Sequence, residues 1–214
     1  PETGQLDEII LSVSKFKQKR NEISQSIVAI TAEEALFSQP QTAADLLSNS
    51  GRVFVQKSQL GGGSPMIRGF STNRLLMTVD GVRMNTAIFR GGNIQNILSI
   101  DPFGVDNTEV ILGPGSVVYG SDAVGGVMNF YTLKPKFSFG ERMTFSGNAV
   151  ARYSTANEEK TAHVDFNLGF KKWAFISSIT FNDFGDLRMG THVPDDYLRN
   201  SYIETRNEED VEVS

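Results

Sequence analysis

"PMIRGFSTNRLLMTVDGVRMN" (Pro65–Asn85) and "NTEVILGPGSVVYGSDAVGGVMNFYT" (Asn107–Thr132) decide the fold of this chain. In both, apolar strand-like runs are punctuated by glycine, at Gly69, Gly81, Gly113, Gly115, Gly120, Gly125 and Gly126. Glycine allows positive φ and close strand approach, so the pattern predicts short strands and tight turns in a compact body. Asp80-Gly81, flanked by apolar residues, is a hairpin signal. "TEVILGP" reads as a strand stopped at Gly113-Pro114, and "VGGVMNFYTL" as another that ends before Lys134-Pro135. Neither stretch contains a nucleophile motif, a metal-ligand cluster or a phosphate loop.

Working upstream, "SQSIVAIT" (Ser24–Thr31) reads as a strand. Thr31 is placed to cap "AEEALFSQ", with Glu34 completing a capping box. "TAADLLSNS" predicts a second short helix, begun at Gln41 or Thr42, with an apolar face of Ala43, Leu46 and Leu47 and with Gly51 just past its end. "VFVQKSQ" reads as a strand, "LGGGSP" (Leu60–Pro65) as a loop and "MIRGF" as a strand. "NIQNILSI" (Asn93–Ile100) carries apolar residues near helical spacing. The first part of the chain is therefore a small α+β domain of roughly 130 residues, a mixed sheet with short helices.

Downstream, from about Glu141, the period changes to two. Phe145, Gly147, Ala149, Ala151 and Tyr153 share one face, and Thr144, Ser146, Asn148 and Arg152 the other. Ala162, Val164, Phe166, Leu168 and Phe170 alternate with His163, Asp165, Asn167 and Gly169. Trp173, Phe175, Ile179 and Phe181 alternate with Ala174, Ser178, Thr180 and Asn182. Each segment is about 10 residues, enough to cross a bilayer as a tilted strand. Aromatics stand near segment ends (Tyr153, Phe170, Trp173, Phe184), where membrane girdles form. "STANEEK" reads as a long connection and "KK" (Lys171-Lys172) as a minimal one, which points the first strand outward. The same alternation also fits a soluble β-sandwich with one wet face.

Composition bounds the function. The 214 residues contain no Cys, so disulfides and cysteine metal sites are excluded. No apolar run is long enough for a membrane helix. The net charge of −5 comes entirely from residues 191–214, with two basic and seven acidic side chains; residues 1–190 carry 18 of each. That tail fits a solvated loop or a cation-attracting rim. A balanced body lacks the basic face that nucleic-acid binding needs. His163 and His192 have no second ligand at a helical or hairpin spacing, and the α+β domain contains no His, which excludes an axially held haem there. The absence of catalytic motifs predicts a protein that is not an enzyme and carries no cofactor or metal.

"IRGF" (Ile67–Phe70), "VDGVR" (Val79–Arg83), "EVILGPGSVVYG" (Glu109–Gly120) and "GGVMNF" (Gly125–Phe130) in combination resemble the plug domain of TonB-dependent outer-membrane transporters. The resemblance extends over about residues 6–185. It implies a leader over residues 1–22, a plug over 23–137, and over 138–214 the first antiparallel strands and an external loop of a transmembrane β-barrel. Plugged barrels of this kind have 22 strands, so the barrel is incomplete here and the chain is expected to be a fragment of a longer one. The implied function is active uptake of a scarce nutrient, such as an iron–siderophore or haem complex, across the outer membrane of a Gram-negative bacterium. A plug-like ligand-binding or scaffold module without transport is the alternative.

The resemblance also implies site residues and partners. Asp7, Glu8, Ile9, Ile10, Leu11, Ser12 and Val13 are similar to the TonB box, which a TonB-type energy transducer grips by β-augmentation. A first plug strand or a simple tail fits the same residues. Arg68 and Glu109 fall where the family has a buried polar network between plug and barrel; an ordinary structural ion pair is the other reading. Leu112 stands where the family usually has Arg, so one charge of that network is missing. Gln59, Ser71, Thr72, Asn73, Asn85, Thr86, Phe89 and Arg90 occupy loops that in the family face the ligand, or are ordinary solvated loops. The remaining implied partners are outer-membrane lipid, a small-molecule or metal-chelate substrate and a surface-exposed lipoprotein.

Overall fold

The computed structural model describes residues 9–10, 18–19, 22–59, 62–71, 74–84, 97, 99–140, 142–185, 201–206 and 209–213. In chain order, β1 (Ile9–Ile10) pairs antiparallel with β2 (Gln18–Lys19). β3 (Ile27–Thr31) leads directly into α1 (Ala32–Ser38), and α2 (Ala43–Asn49) follows. Both helices begin with capping boxes. The Glu34 N–H donates to Thr31 Oγ1 at 3.2 Å and the Thr31 N–H donates back to Glu34 Oε2 at 2.8 Å. Thr42 and Asp45 repeat the arrangement at 3.3 and 3.2 Å. Each box satisfies two backbone donors that a helix start otherwise leaves orphaned.

β4 (Phe54–Gln59) pairs antiparallel with β5 (Gly62–Met66). This corrects the reading of 60–65 as a loop over 62–65, Leu60 and Gly61 lying outside the described residues: Gly62 and Gly63 supply no side chains, but their backbones close a ladder against β4. Pro65, opposite Val55, is tolerated because a two-stranded ribbon has an open edge for the missing N–H. "MIRGF" is likewise not a strand throughout. Met66 ends β5, and Ile67–Phe70 is a tight turn whose ends exchange hydrogen bonds of 3.0 and 2.9 Å. Arg68 (φ 50°) and Gly69 (φ 82°) both take left-handed backbone, the signature of a primed turn.

β6 (Leu75–Val79) and β7 (Val82–Arg83) form the hairpin expected at Asp80-Gly81. β8 (Val105–Ile111) follows, then a one-turn helix, α3 (Ser116–Tyr119), in a run that reads as β-branched and apolar, and then β9 (Gly126–Thr132). The five central strands form one sheet in the order β3-β8-β9-β6-β7, parallel only between β6 and β9. The buried face of α2 (Ala43, Ala44, Leu46, Leu47) belongs to the same core as Ile67, Leu75, Met77, Val110, Met128 and Phe130. A Cβ on Gly125 would stand 2.3 Å from Phe70 Cβ, so only glycine lets the turn at 67–70 lie against β9. Most of "NIQNILSI" lies outside the described residues.

The wall that follows consists of β10 (Thr144–Ser154), β11 (Glu159–Gly169) and β12 (Ala174–Asp183), in that order and antiparallel. β13 (Tyr202–Arg206) and β14 (Glu209–Val213) form a separate hairpin. The two connections within the wall run over 155–158 and 170–173 and are equal in length. "STANEEK" is therefore not the long connection the sequence predicts, because β10 and β11 extend into both of its ends; connection length does not distinguish the two rims.

The wall's burial pattern is inverted relative to a soluble sheet. Along β11 the polar residues Glu159, Thr161, His163, Asp165 and Asn167 are buried, whereas Val164 is 53% exposed. Phe145, Tyr153, Phe175, Ile179 and Phe181 are exposed on the outward face of the neighbouring strands, Phe175 opposite Leu168 and Ile179 opposite Val164. A water-soluble sandwich would bury that apolar face; a membrane barrel turns it to lipid. Val164 lies at mid-height of β11. Val164→Lys is expected to cost about 2–4 kcal/mol of insertion free energy, and the heat-modifiable, folded fraction of the protein in isolated membranes should fall accordingly.

Candidate functional site

Among the described residues, the inward face of the wall meets the mixed-sheet domain in a polar layer at three contact points. The first is built on Arg152 and Glu159, inward-facing residues beside the β10–β11 turn. Arg152 Nη2 donates to Glu159 Oε1 and, at 3.4 Å, to Thr161 Oγ1. Its Nη1 crosses to the other domain and donates to the backbone carbonyls of Gln39 (2.5 Å) and Pro40 (2.8 Å). Glu159, fully buried, accepts a 2.5 Å bond from Gln41 Nε2 and a 2.7 Å bond from Thr161 Oγ1. A carboxylate withdrawn this far from water is stable only when paired and hydrogen-bonded, and removing its partner from a buried pair costs about 3–5 kcal/mol.

The second contact centres on His163, whose side chain is fully buried. Its Nδ1 lies 2.6 Å from Thr180 Oγ1 and its Nε2 3.3 Å from Asp165 Oδ2. Thr180 Oγ1 in turn donates to Asp101 Oδ2 of the mixed-sheet domain at 2.5 Å. The Phe103 ring lies against the imidazole at 5.2 Å, and Asn148 Nδ2 holds Asp165 from the other side at 3.1 and 3.3 Å. The third contact is a backbone clip: the Lys136 N–H donates to Asn167 Oδ1 (2.8 Å), and Asn167 Nδ2 donates to the Lys136 carbonyl (3.1 Å). A polar cavity of about 220 Å³ beside it is lined by Asp106, Lys134, Lys136, Asn148, Asp165 and Asn167.

The residues singled out from sequence are distributed unevenly. Glu109 is fully buried in the middle of β8, between Ala29 and Asn129 on the flanking strands, and accepts a 3.1 Å bond from Asn107 Nδ2. Arg68 is exposed in the 67–70 turn, so the structure does not bring the two together. Leu112 is buried in the apolar core and its N–H donates to the Ser26 carbonyl at 2.9 Å. Ile9 and Ile10 form β1, and Ile10 is buried; Asp7, Glu8, Leu11, Ser12 and Val13 lie outside the described residues. Gln59 ends β4 and Ser71 follows the 67–70 turn, half-buried; Thr72, Asn73, Asn85, Thr86, Phe89 and Arg90 lie outside the described residues. Among the described residues no group of three His, Asp or Glu is arranged to hold a metal ion.

Sequence reasoning placed Arg152, His163, Asp165 and Thr180 on one face of the wall but gave them no role, and took Glu159 for a loop residue. The available signal was an Arg, a His and an Asp recurring on the polar side of strands whose other side is apolar.

A sequence profile described as "TonB-dependent Receptor Plug Domain" matches residues 19–127, half of the chain. The chain belongs to the TonB-dependent receptor family. It is therefore an outer-membrane protein of a Gram-negative bacterium, with the mixed-sheet domain as plug and the three-stranded sheet as part of a barrel wall. The vitamin B12 transporter BtuB of Vibrio vulnificus is 34% identical over 151 residues, 68% of this chain and 24% of that protein. The solved structure of FpvA of Pseudomonas aeruginosa bound to heterologous pyoverdines matches with a TM-score of 0.70 at 19% identity, over 82% of this chain and 22% of that one. The alcaligin receptor FauA of Bordetella pertussis matches with a TM-score of 0.57 at 16% identity, over 81% of this chain and 29% of that one. The chain thus spans about a quarter of the length of these relatives.

Glu109 makes itself felt at two plug tyrosines. Burial, and then the Glu109 charge, push the Tyr131 hydroxyl well above the ordinary value of 10.0; Tyr119 and Asp80 add to this. Tyr119 is also raised, by burial and by Glu109, against a hydrogen bond with Asn129 that lowers it. A raised tyrosine pKa contributes stability that is complete below pH 10.0 and is lost as pH climbs through the shifted value, because the unfolded chain ionises first. Glu109→Gln should lower the pH at which Tyr131 ionises, read by tyrosinate absorbance with Tyr131→Phe as the control.

Proposed function

We propose that this chain comprises the leader (1–22), plug (23–137) and first wall strands (138–214) of an outer-membrane receptor that actively takes up a scarce nutrient, energised through TonB. The observation that carries the reading is the inverted wall: apolar side chains face outward, while Arg152, Glu159, His163 and Asp165 face inward onto the plug. Such a sheet is stable only with lipid on one side and a polar body on the other. A plug held by hydrogen bonds inside a closed wall blocks passage until it is moved, which is a transport function and not a catalytic one.

The substrate class is a bulky metal chelate or similar scarce nutrient. The relatives support this range, since they are named for vitamin B12, pyoverdine and alcaligin. Ligand binds at the outward plug loops, with Gln59, Ser71, Thr72, Asn73, Asn85, Thr86, Phe89 and Arg90 as contributors. Occupancy frees the leader, and the transducer then grips residues 7–13 and pulls the plug out of register with the wall. A surface-exposed lipoprotein is a candidate accessory partner. Arg68 and Glu109 complete a plug–barrel network with strands beyond those described.

The leader is suited to being gripped. Ile9 and Ile10 already have extended backbone, paired with Lys19 and Gln18, and another strand can replace that pairing by main-chain bonds. Proline at position 10 removes a ladder donor. A peptide of residues 1–22 should capture the transducer's C-terminal domain in a pull-down, and Ile10→Pro should weaken capture about tenfold or more. Equal capture by both peptides would exclude β-augmentation at this segment.

A further inference from the structure

We propose that Arg152 is a plug-retaining residue and that its clasp keeps both charges on the wall, so that the plug can leave without splitting an ion pair. The proposal rests on the reading of this chain as a plug within a barrel.

The geometry of the clasp is specific. Arg152 uses four guanidinium N–H donors, two toward wall groups (Glu159, Thr161) and two toward plug carbonyls (Gln39, Pro40). The carbonyls are available for a local reason. Gln39 ends α1 in left-handed backbone (φ 48°), and Pro40 cannot continue a helix, so both carbonyls project from the helix end without intrahelical partners. Glu159 takes the Gln41 side chain with its second oxygen. On the plug side the clasp therefore consists of two carbonyls and one amide, with no charged group among Gln39, Pro40 and Gln41.

This arrangement sets what it costs to release the plug. Were Arg152 paired with a plug carboxylate, withdrawal would strand a charge on each surface. Here the ion pair stays assembled in β10 and β11 while three hydrogen bonds to neutral plug groups open, and water can replace each neutral partner. The wall keeps its socket, and the returning plug meets a preformed fork.

The test uses the full-length receptor in planar lipid bilayers, with potassium chloride conductance as the readout and heat-modifiable migration as the check of barrel folding. Three variants are compared with the parent: Arg152→Leu/Glu159→Leu, Arg152→Lys and a plug-deleted receptor. The double variant leaves no buried charge unpaired, so its barrel folds. With three hydrogen bonds gone, its open-plug population should rise roughly ten- to hundredfold. Lysine keeps the charge opposite Glu159 but cannot span both carbonyls as the planar fork does. Arg152→Lys should therefore leak as well, an effect that a merely structural ion pair would not produce. Full sealing by Arg152→Lys, or a sealed double variant beside an open plug-deleted channel, overturns the clasp and leaves the plug-in-barrel reading standing. A plug-deleted receptor no more conductive than the parent overturns both.

Discussion

A strand that faces lipid on one side must find polar partners on the other. In the wall of this receptor the outward residues are apolar and the inward ones include Arg152, Glu159, His163 and Asp165. Lipid offers no hydrogen bonds, so all polar satisfaction must come from within the barrel. The plug supplies it. Its helix-end carbonyls accept from Arg152, Asp101 accepts from Thr180, and the Lys136 backbone pairs with Asn167. The plug's shape and position follow from that demand as much as from its own core.

The plug meets the wall as a preformed body. Its core runs from α2 through the five-stranded sheet, and two capping boxes fix where the helices begin. The close packing of Gly125 on Phe70 fixes the 67–70 turn against β9. Leu112 extends this core, Glu109 accepts a hydrogen bond from Asn107, and burial together with the Glu109 charge holds the Tyr131 and Tyr119 hydroxyls protonated to higher pH.

Charge is distributed asymmetrically across the interface. At the Arg152 contact both charges belong to the wall and the plug offers only dipoles. At the His163 contact the plug contributes a carboxylate, Asp101, reached through the Thr180 hydroxyl, with the imidazole 3.9 Å away. At the first contact the ion pair lies wholly within the wall, whereas at the second the plug carries a carboxylate of its own, already partly exposed. Beside the third lies a polar cavity of about 220 Å³.

Much of this was legible in the sequence, because the signals involved are local. Period-two alternation sorted the wall residues onto their faces, Thr31 with Glu34 marked a helix start, and Asp80-Gly81 marked a hairpin. Other features were not legible. The glycines at 62–63 do not reveal that they pair with β4, Arg68-Gly69 turns where an apolar run suggests a strand, and "SVVY" coils into one helical turn between glycines. Least visible was the interface, where Arg152 reaches carbonyls 112 and 113 positions earlier in the chain. Amino-acid order by itself determined which residues are apolar, at what period, and where helices can start, since these depend on neighbours a few bonds apart. Only the tertiary structure decided which buried charge meets which carbonyl, since that depends on how two separately folded surfaces come together in space.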